Sequence, residues 1–243
     1  MKKGVVYITD NNADSYLLEV CRKNLLRCVD GLDLVSVSQQ PLDFGKNIVI
    51  SGLDREPYSI FKQILTGIES TDADFIFIAE HDILYHPSHF EFIHPKKTRI
   101  FYNTNRWAID PVQTSPTYGL AVFYYTNTTS FLCGYRDRLT ALFSKGIEIL
   151  EKNRGRIRDG CIPPKDIPHN ERRKFRFIRW SSEYPCLDIR HESTYTPKNM
   201  VKRDKIGGKL YGWEERYELP FWGTFKPWPE FLRRVYNGEM YRR

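Results

Sequence analysis

Long apolar runs are missing from this chain: nowhere does it approach the roughly 20 consecutive apolar residues that a membrane helix needs. The opening Met1-Lys2-Lys3-Gly4-Val5-Val6-Tyr7-Ile8 has too short an apolar stretch for a secretion signal. No glycine-rich phosphate loop is present, which argues against a P-loop or a dinucleotide fingerprint. No internal repeat is visible, so solenoids and propellers are set aside. The five cysteines, at 21, 28, 133, 161 and 186, are an odd number with no close pair and no zinc spacing. They read as reduced thiols, and the expected location is the cytoplasm.

What is present is a globular composition. With 243 residues, 41% hydrophobic and 14% aromatic, the chain can bury a real core as one domain, or as one domain with an extension. The net charge of +7 is concentrated in the second half. Lys152, Arg154, Arg156 and Arg158 form one basic run, and Arg172, Arg173, Lys174, Arg176 and Arg179 form another. Lys198, Lys202, Arg203, Lys205 and Lys209 make a third. Such clusters favour a polyanionic partner, whether nucleic acid, an anionic membrane surface or a phosphorylated glycan. A merely soluble basic surface is the plainer explanation.

The stretch that organises the chain is Phe75-Ile76-Phe77-Ile78-Ala79-Glu80-His81-Asp82, followed by Ile83-Leu84-Tyr85-His86-Pro87. Its unbroken apolar run predicts a strand buried on both faces, as in a covered parallel sheet. If the segment stays extended, residues 80 and 82 point to the same side and their carboxylates sit together. Paired acids at the carboxyl end of a buried strand suit a hard divalent cation that carries phosphate oxygens.

Around this stretch the pattern alternates. Residues 4–9 read as a first strand, 15–29 as a helix capped by Asp14 or Ser15, and 32–37 as a second strand. Tyr16, Leu17, Leu18, Val20, Cys21, Leu25 and Leu26 are expected on the apolar side of that helix. Strand–helix–strand is the mononucleotide-binding unit, which puts Thr9, Asp10 and Asn11 at the ligand edge. Residues 48–50 suit a short strand, and Pro57 opens a helix to about 69 whose Lys62 can reach toward phosphates. Further strands are expected at 99–102, 119–125, 174–180 and 185–189, and a helix in the second part of 131–149. Residues 103–107 read as a polar loop, and Gly134 as a place where a ligand nears the backbone. Residues 154–168 suit a mobile loop or a boundary. His86, His89 and His94 read mostly as surface loop histidines.

The run Phe75–Pro87, together with Leu187-Asp188-Ile189-Arg190-His191, resembles the metal and nucleotide-sugar site of GT-A fold glycosyltransferases. In that superfamily an Asp-x-Asp-like motif ends a core strand, and a C-terminal His often completes the metal site. Here Glu80-His81-Asp82 is a variant with Glu first, and Glu192-Ser193 stands where a small residue or Asn usually follows the His. The resemblance implies an α/β fold with a mixed, mostly parallel, Rossmann-like sheet flanked by helices. It implies a transferase domain over 1–195 and a basic, aromatic extension packed on it over 196–243. It also implies a hexosyltransferase that uses Mn2+ or Mg2+ and a nucleoside-diphosphate sugar, with UDP as the expected nucleotide.

Glu80, Asp82 and His191 are then the expected metal ligands. Thr9, Asp10, Asn11, Lys62 and His81 join Glu80 and Asp82 around the donor. Glu183 is the first candidate for general base and Asp188 the second. For the acceptor, a basic second half with interleaved aromatics favours DNA carrying a hydroxymethylated base. Arg172, Arg173, Lys174, Arg176, Lys202 and Arg203 would be the contacts, as in phage-type base glycosyltransferases that act in the cytoplasm of a bacterial host. No obligatory protein partner is implied. A transferase building a surface glycan at an anionic membrane, and a non-catalytic nucleic-acid-binding module of the same fold, are the alternatives. A metal-dependent hydrolase gathering His81, Asp82, His86 and His89 is a further reading.

Overall fold

The computed structural model describes residues 1–114, 118–123, 128–152, 175–191 and 214–242. In chain order the N-terminal elements are β1 (Lys3–Thr9), α1 (Ser15–Cys28), β2 (Asp33–Ser38), β3 (Lys46–Val49), α2 (Pro57–Glu69), β4 (Phe75–Glu80) and β5 (Ile83–Leu84). They are followed by α3 (Pro87–Glu91), β6 (Ile100–Asn103), β7 (Arg106–Ile109), β8 (Ala121–Phe123), β9 (Leu132–Tyr135) and α4 (Arg136–Lys152). The C-terminal part adds β10 (Phe177–Trp180), β11 (Cys186–Ile189), β12 (Glu214–Arg216), β13 (Glu218–Leu219), β14 (Gly223–Thr224) and α5 (Trp228–Tyr236).

Among the described residues the main sheet has seven strands in the order β10-β6-β9-β4-β1-β2-β3. β1 pairs in parallel with β2 and β4, β2 with β3, and β10 with β6. Only β9 runs against both of its neighbours, β4 and β6. This is the expected mixed, mostly parallel α/β sheet. The unbroken apolar run of β4 follows from its place: Phe75 to Ala79 are all fully buried, with neighbours on both edges and side chains on both faces. Asp14 caps α1, its Oδ1 accepting from Leu17 N at 3.0 Å. Tyr16 and Leu26, expected on the buried side, are exposed, and Asn24 and Cys28 take that side instead.

Helix α2 begins at Pro57 and lies on β1 and β2 through a glycine. A Cβ on Gly67 would sit 2.3 Å from Val6 Cγ1, inside van der Waals contact. Gly67→Ala gains up to about 1 kcal/mol of helix propensity. Overpacking a filled core costs about 1–3 kcal/mol. The substitution should therefore lower stability by about 1 kcal/mol, and urea unfolding checks the sign.

Several sequence expectations need correction. Residues 103–107 are not a polar loop throughout: Arg106 and Trp107 begin the buried strand β7. Gly134 does not front a ligand, because it lies in β9 between Ile76 and Ile100. His89 is no surface histidine; it is fully buried, its Nδ1 2.8 Å from Asn103 Nδ2 and its ring stacked on Trp180.

Burial pushes the His89 imidazole down to about 3. The unfolded chain takes a proton near pH 6.5 while the native state refuses it until about 3. Stability should therefore fall as pH drops through that window. Replacing His89 with Gln should flatten the dependence of melting temperature on pH between about 6 and 4.

A second sheet runs β12-β8-β7-β11-β5. It covers a separate apolar core of Leu84, Trp107, Ile109, Leu187 and Ile189 with Trp222, Phe225, Phe231, Leu232 and Val235. Residues 214–242 thus supply an edge strand and a packed helix. Arg27 ties α1 to the end of α5, donating to Val235 O at 2.9 Å and to Tyr236 O at 2.5 Å. Leu17, Val20 and Cys21 of α1 enter this second core, while Leu25 and Cys28 enter the first. Among the described residues the cysteines at 21, 28, 133 and 186 are buried thiols, and no helix is long and apolar enough to cross a membrane.

Candidate metal centre and nucleotide edge

Parallel pairing sets the site. Ile8 stands opposite Glu80 and Thr9 opposite Ser38, so the chain leaves β1, β2 and β4 at one edge. At the end of β1 the backbone turns sharply, with Asn11 at φ 59, a conformation Asn tolerates better than most residues. Asn11 Oδ1 accepts from Gln39 N at 2.9 Å and Gln40 N at 3.1 Å, fastening the turn to the end of β2. Thr9 is buried; its Oγ1 accepts from Asn11 N at 2.9 Å and its carbonyl from Gln63 Nε2 at 2.8 Å. Asp10 stays half-buried at the rim. Its Oδ2 pairs with Arg55 Nε at 3.0 Å, and its Oδ1 lies 3.8 Å from His81 Nε2.

β4 ends at Glu80, and His81 and Asp82 form a turn before β5. The alternation that would set residues 80 and 82 side by side breaks at that turn. Glu80 Oε1 accepts a close hydrogen bond from Thr129 Oγ1. Burial, and then the charge of Asp82, push the Glu80 carboxyl up to about 8. His81 and Asp82 face the site instead.

The second sheet delivers the remaining group. β5 pairs antiparallel with β11, Ile83 opposite Asp188, and Ile189 N donates to Asp82 O at 2.9 Å. Two residues later the buried His191 sets its Nε2 3.7 Å from Asp82 Oδ2. One potential ligand atom from each of His81, Asp82 and His191 falls within 4.8 Å of the others, the one such group among the described residues. Asp82 Oδ1 and His191 Nε2 are buried without a hydrogen-bond partner. A buried polar atom left so is costly unless something else satisfies it. Burial pushes the Asp82 carboxyl up, but His191, then His81 and Arg190, outweigh it and hold the group at about 2. An ionised carboxylate between two imidazoles, with orphaned lone pairs, is a donor set that fits a divalent cation.

Expectation and geometry part at several residues. Glu80 belongs to the wall of the site, turned to Thr129, and His81 takes its place in the triad. Asp188 is a poor base: it is buried in β11 and held by Arg106, whose Nε donates to Oδ2 at 3.1 Å and whose Nη2 donates to the same oxygen. Glu183 is exposed beside Tyr184, whose ring lies 4.4 Å from His86 at the far end of the β5–β11 ladder. At a rise of about 3.3 Å per residue, Pro185 to Ile189 spans about 13 Å, so the structure does not bring Glu183 to the triad.

Lys62 is exposed on the outer side of α2, its Nζ 5.7 Å from the centre of the Tyr58 ring. His86 and His89 sit in and beside α3 with partners of their own, which removes the hydrolase reading. Of the basic contacts, Arg176 is exposed just ahead of β10, while Arg172, Arg173, Lys174, Lys202 and Arg203 lie outside the described residues, as do 154–168. Arg55 and Thr129 were not legible as site residues. Arg55 sits in an ordinary charged turn, Asp54-Arg55-Glu56, and Thr129 gave no signal at all.

No family model and no curated protein matches this chain. Solved structures of similar shape include the glycosyltransferase involved in glycosylation of the major capsid of PBCV-1, at 10% identity and TM-score 0.46, over 74% of this chain and 82% of that one. The glycosyltransferase GlyE of Streptococcus pneumoniae TIGR4, in its apo form, matches at 13% identity and TM-score 0.42, over 73% of this chain. The present chain spans only 45% of that protein. The inositol-1-phosphate CTP transferase of T. maritima matches at 10% identity and TM-score 0.44, over 84% of this chain and 97% of that one. At such scores these likenesses carry no weight for activity, and the functional reading rests on the site itself.

Proposed function

We propose that this chain is a metal-dependent glycosyltransferase that moves a sugar from a nucleoside-diphosphate donor, UDP-linked in our reading, to an acceptor hydroxyl. The observation that supports it is the meeting of His81, Asp82 and His191 at the carboxyl edge of the main sheet, beside Asp10. In open α/β sheets ligands bind at this edge. His81, Asp82 and His191 would hold a divalent cation, which supplies Lewis-acid stabilisation of the leaving diphosphate. Asp10 has the acceptor oxygens to hold ribose hydroxyls, and Asn11 keeps its turn fixed to β2. Arg190, beside Asp82, adds positive charge where the diphosphate leaves. Burial and the Asp82 charge raise the Glu80 carboxyl in the metal-free protein, and its Oε1 is taken by Thr129.

For the acceptor we infer a polyanion, DNA with a hydroxymethylated base, on the strength of the +7 charge and its clustering in the second half. The test is incubation with a mixed sugar-nucleotide pool and Mn2+, offering hydroxymethylated DNA and a lipid-linked glycan, with mass spectrometry of both. A hexose gained by DNA supports both inferences; one gained by the glycan alone removes the DNA acceptor. If neither gains mass, the transferase reading fails.

A further inference from the structure

The donor set is not the one that an acidic strand end promises. A pair of carboxylates would offer only oxygen, the ligand type that Mg2+ and Ca2+ prefer. Here Glu80 is engaged by Thr129, and the groups that converge are two imidazoles and one carboxylate. Imidazole nitrogen suits the borderline first-row metals, whose affinity for such sites rises through the series to Cu2+, with Zn2+ also favoured. Mg2+ dehydrates reluctantly and demands near-ideal octahedral oxygen, so two nitrogen donors discriminate against it.

Three features strengthen the case. Asp82 Oδ1 and His191 Nε2 are buried and without a partner, so the cluster is not a self-satisfied hydrogen-bond network. The His81 and His191 rings stand 6.1 Å apart at an interplanar angle of 53°, tilted instead of stacked, which leaves their edges free to converge. Asp10, held by Arg55 at 3.0 Å, lies 3.8 Å from His81 Nε2. That is beyond hydrogen-bond distance, and it places a carboxylate charge next to the His81 ring.

We propose that His81, Asp82 and His191 form a two-histidine, one-carboxylate centre selective for a divalent transition metal of the Mn2+, Co2+ and Zn2+ class over Mg2+, with His81 as the ligand that sets the selectivity. The inference rests on the transferase reading only for what the ion is for; the binding chemistry stands without a substrate.

The test uses the full metal-free chain. Co2+ is titrated while its visible absorption is followed, and Mg2+ is titrated by calorimetry. Co2+ should bind on the order of a hundredfold more tightly than Mg2+, and His81→Gln should remove most of that preference and shift the Co2+ spectrum. Pulsed electron paramagnetic resonance on the Mn2+-loaded wild type, which needs no variant, should detect two imidazole nitrogens. Equal affinity for Co2+ and Mg2+, an unchanged spectrum in His81→Gln, or a single coordinated nitrogen would each overturn the proposal. A chain that binds Co2+ as described yet modifies no acceptor supports this inference while removing the transferase reading. Transfer sustained equally by Mg2+ and Mn2+, with equal affinity for both, does the reverse.

Discussion

Under the proposed transferase reading, Asp82→Asn should cost about a thousandfold or more in turnover, because losing a metal's stabilisation of a leaving diphosphate is worth several kcal/mol. Asp82 is the one carboxylate in the triad, and the two imidazoles hold it ionised at about 2. Asn keeps the shape and removes the charge. The fold should survive, since Asn keeps the shape of a partly exposed side chain whose buried Oδ1 has no hydrogen-bond partner in the metal-free protein. Circular dichroism of the metal-free variant should match the wild type, with a lower melting temperature because Asn forfeits the attraction of His191, His81 and Arg190, while Mn2+ affinity collapses alongside turnover. Near-normal turnover of Asp82→Asn in excess Mn2+ would show that the charge sits elsewhere.

The second large effect is on stability. Arg106 and Asp188 form an ion pair between the adjacent parallel strands β7 and β11, and both are almost wholly buried. Arg106→Leu strands the Asp188 carboxylate in a dry strand, with Arg190 Nε 3.7 Å from its other oxygen as partial compensation. Removing one partner of a buried pair costs about 3–5 kcal/mol, whereas replacing both with apolar groups is often neutral or better. Arg106→Leu should therefore be severely destabilised toward urea, and adding Asp188→Leu should recover most of the loss. If the double variant is as unstable as the single one, packing and not charge pairing holds the two strands together. His191 lies three residues beyond Asp188, so if the proposed metal centre holds, the single variant should also bind Mn2+ more weakly.

How much of this was legible depends on the range over which each signal acts. β1, β4 and α2 could be read from the chain because their causes are local: a β-branched or aromatic run, and Pro57 at the first turn of a helix of apolar period. β7 was hidden because it begins with an arginine whose neutralising partner lies 82 positions away. β9 was hidden because four residues, one of them Gly134, give no usable period. In the site, the resemblance pointed to Glu80, Asp82 and His191 as metal ligands, whereas the atoms that converge belong to His81, Asp82 and His191, with Glu80 turned to Thr129. The error was geometrical: alternation holds only while the strand continues, and it stops at Glu80. Asp188 was misread because an acid near a strand end looks the same in sequence whether it faces a cleft or a buried guanidinium.

The two histidines of the triad come from different bodies of packed side chains. His81 and Asp82 follow the central strand of the first core, whereas His191 follows β11, whose Leu187 and Ile189 belong to the second. An ion bridging them would act as a rivet across a seam, adding stability that grows with the logarithm of its free concentration. Chelation would then loosen the join between the halves before it softened either one. Amide protection around residues 82–84 and 187–191 would be the first lost, and the interior of β4 among the last.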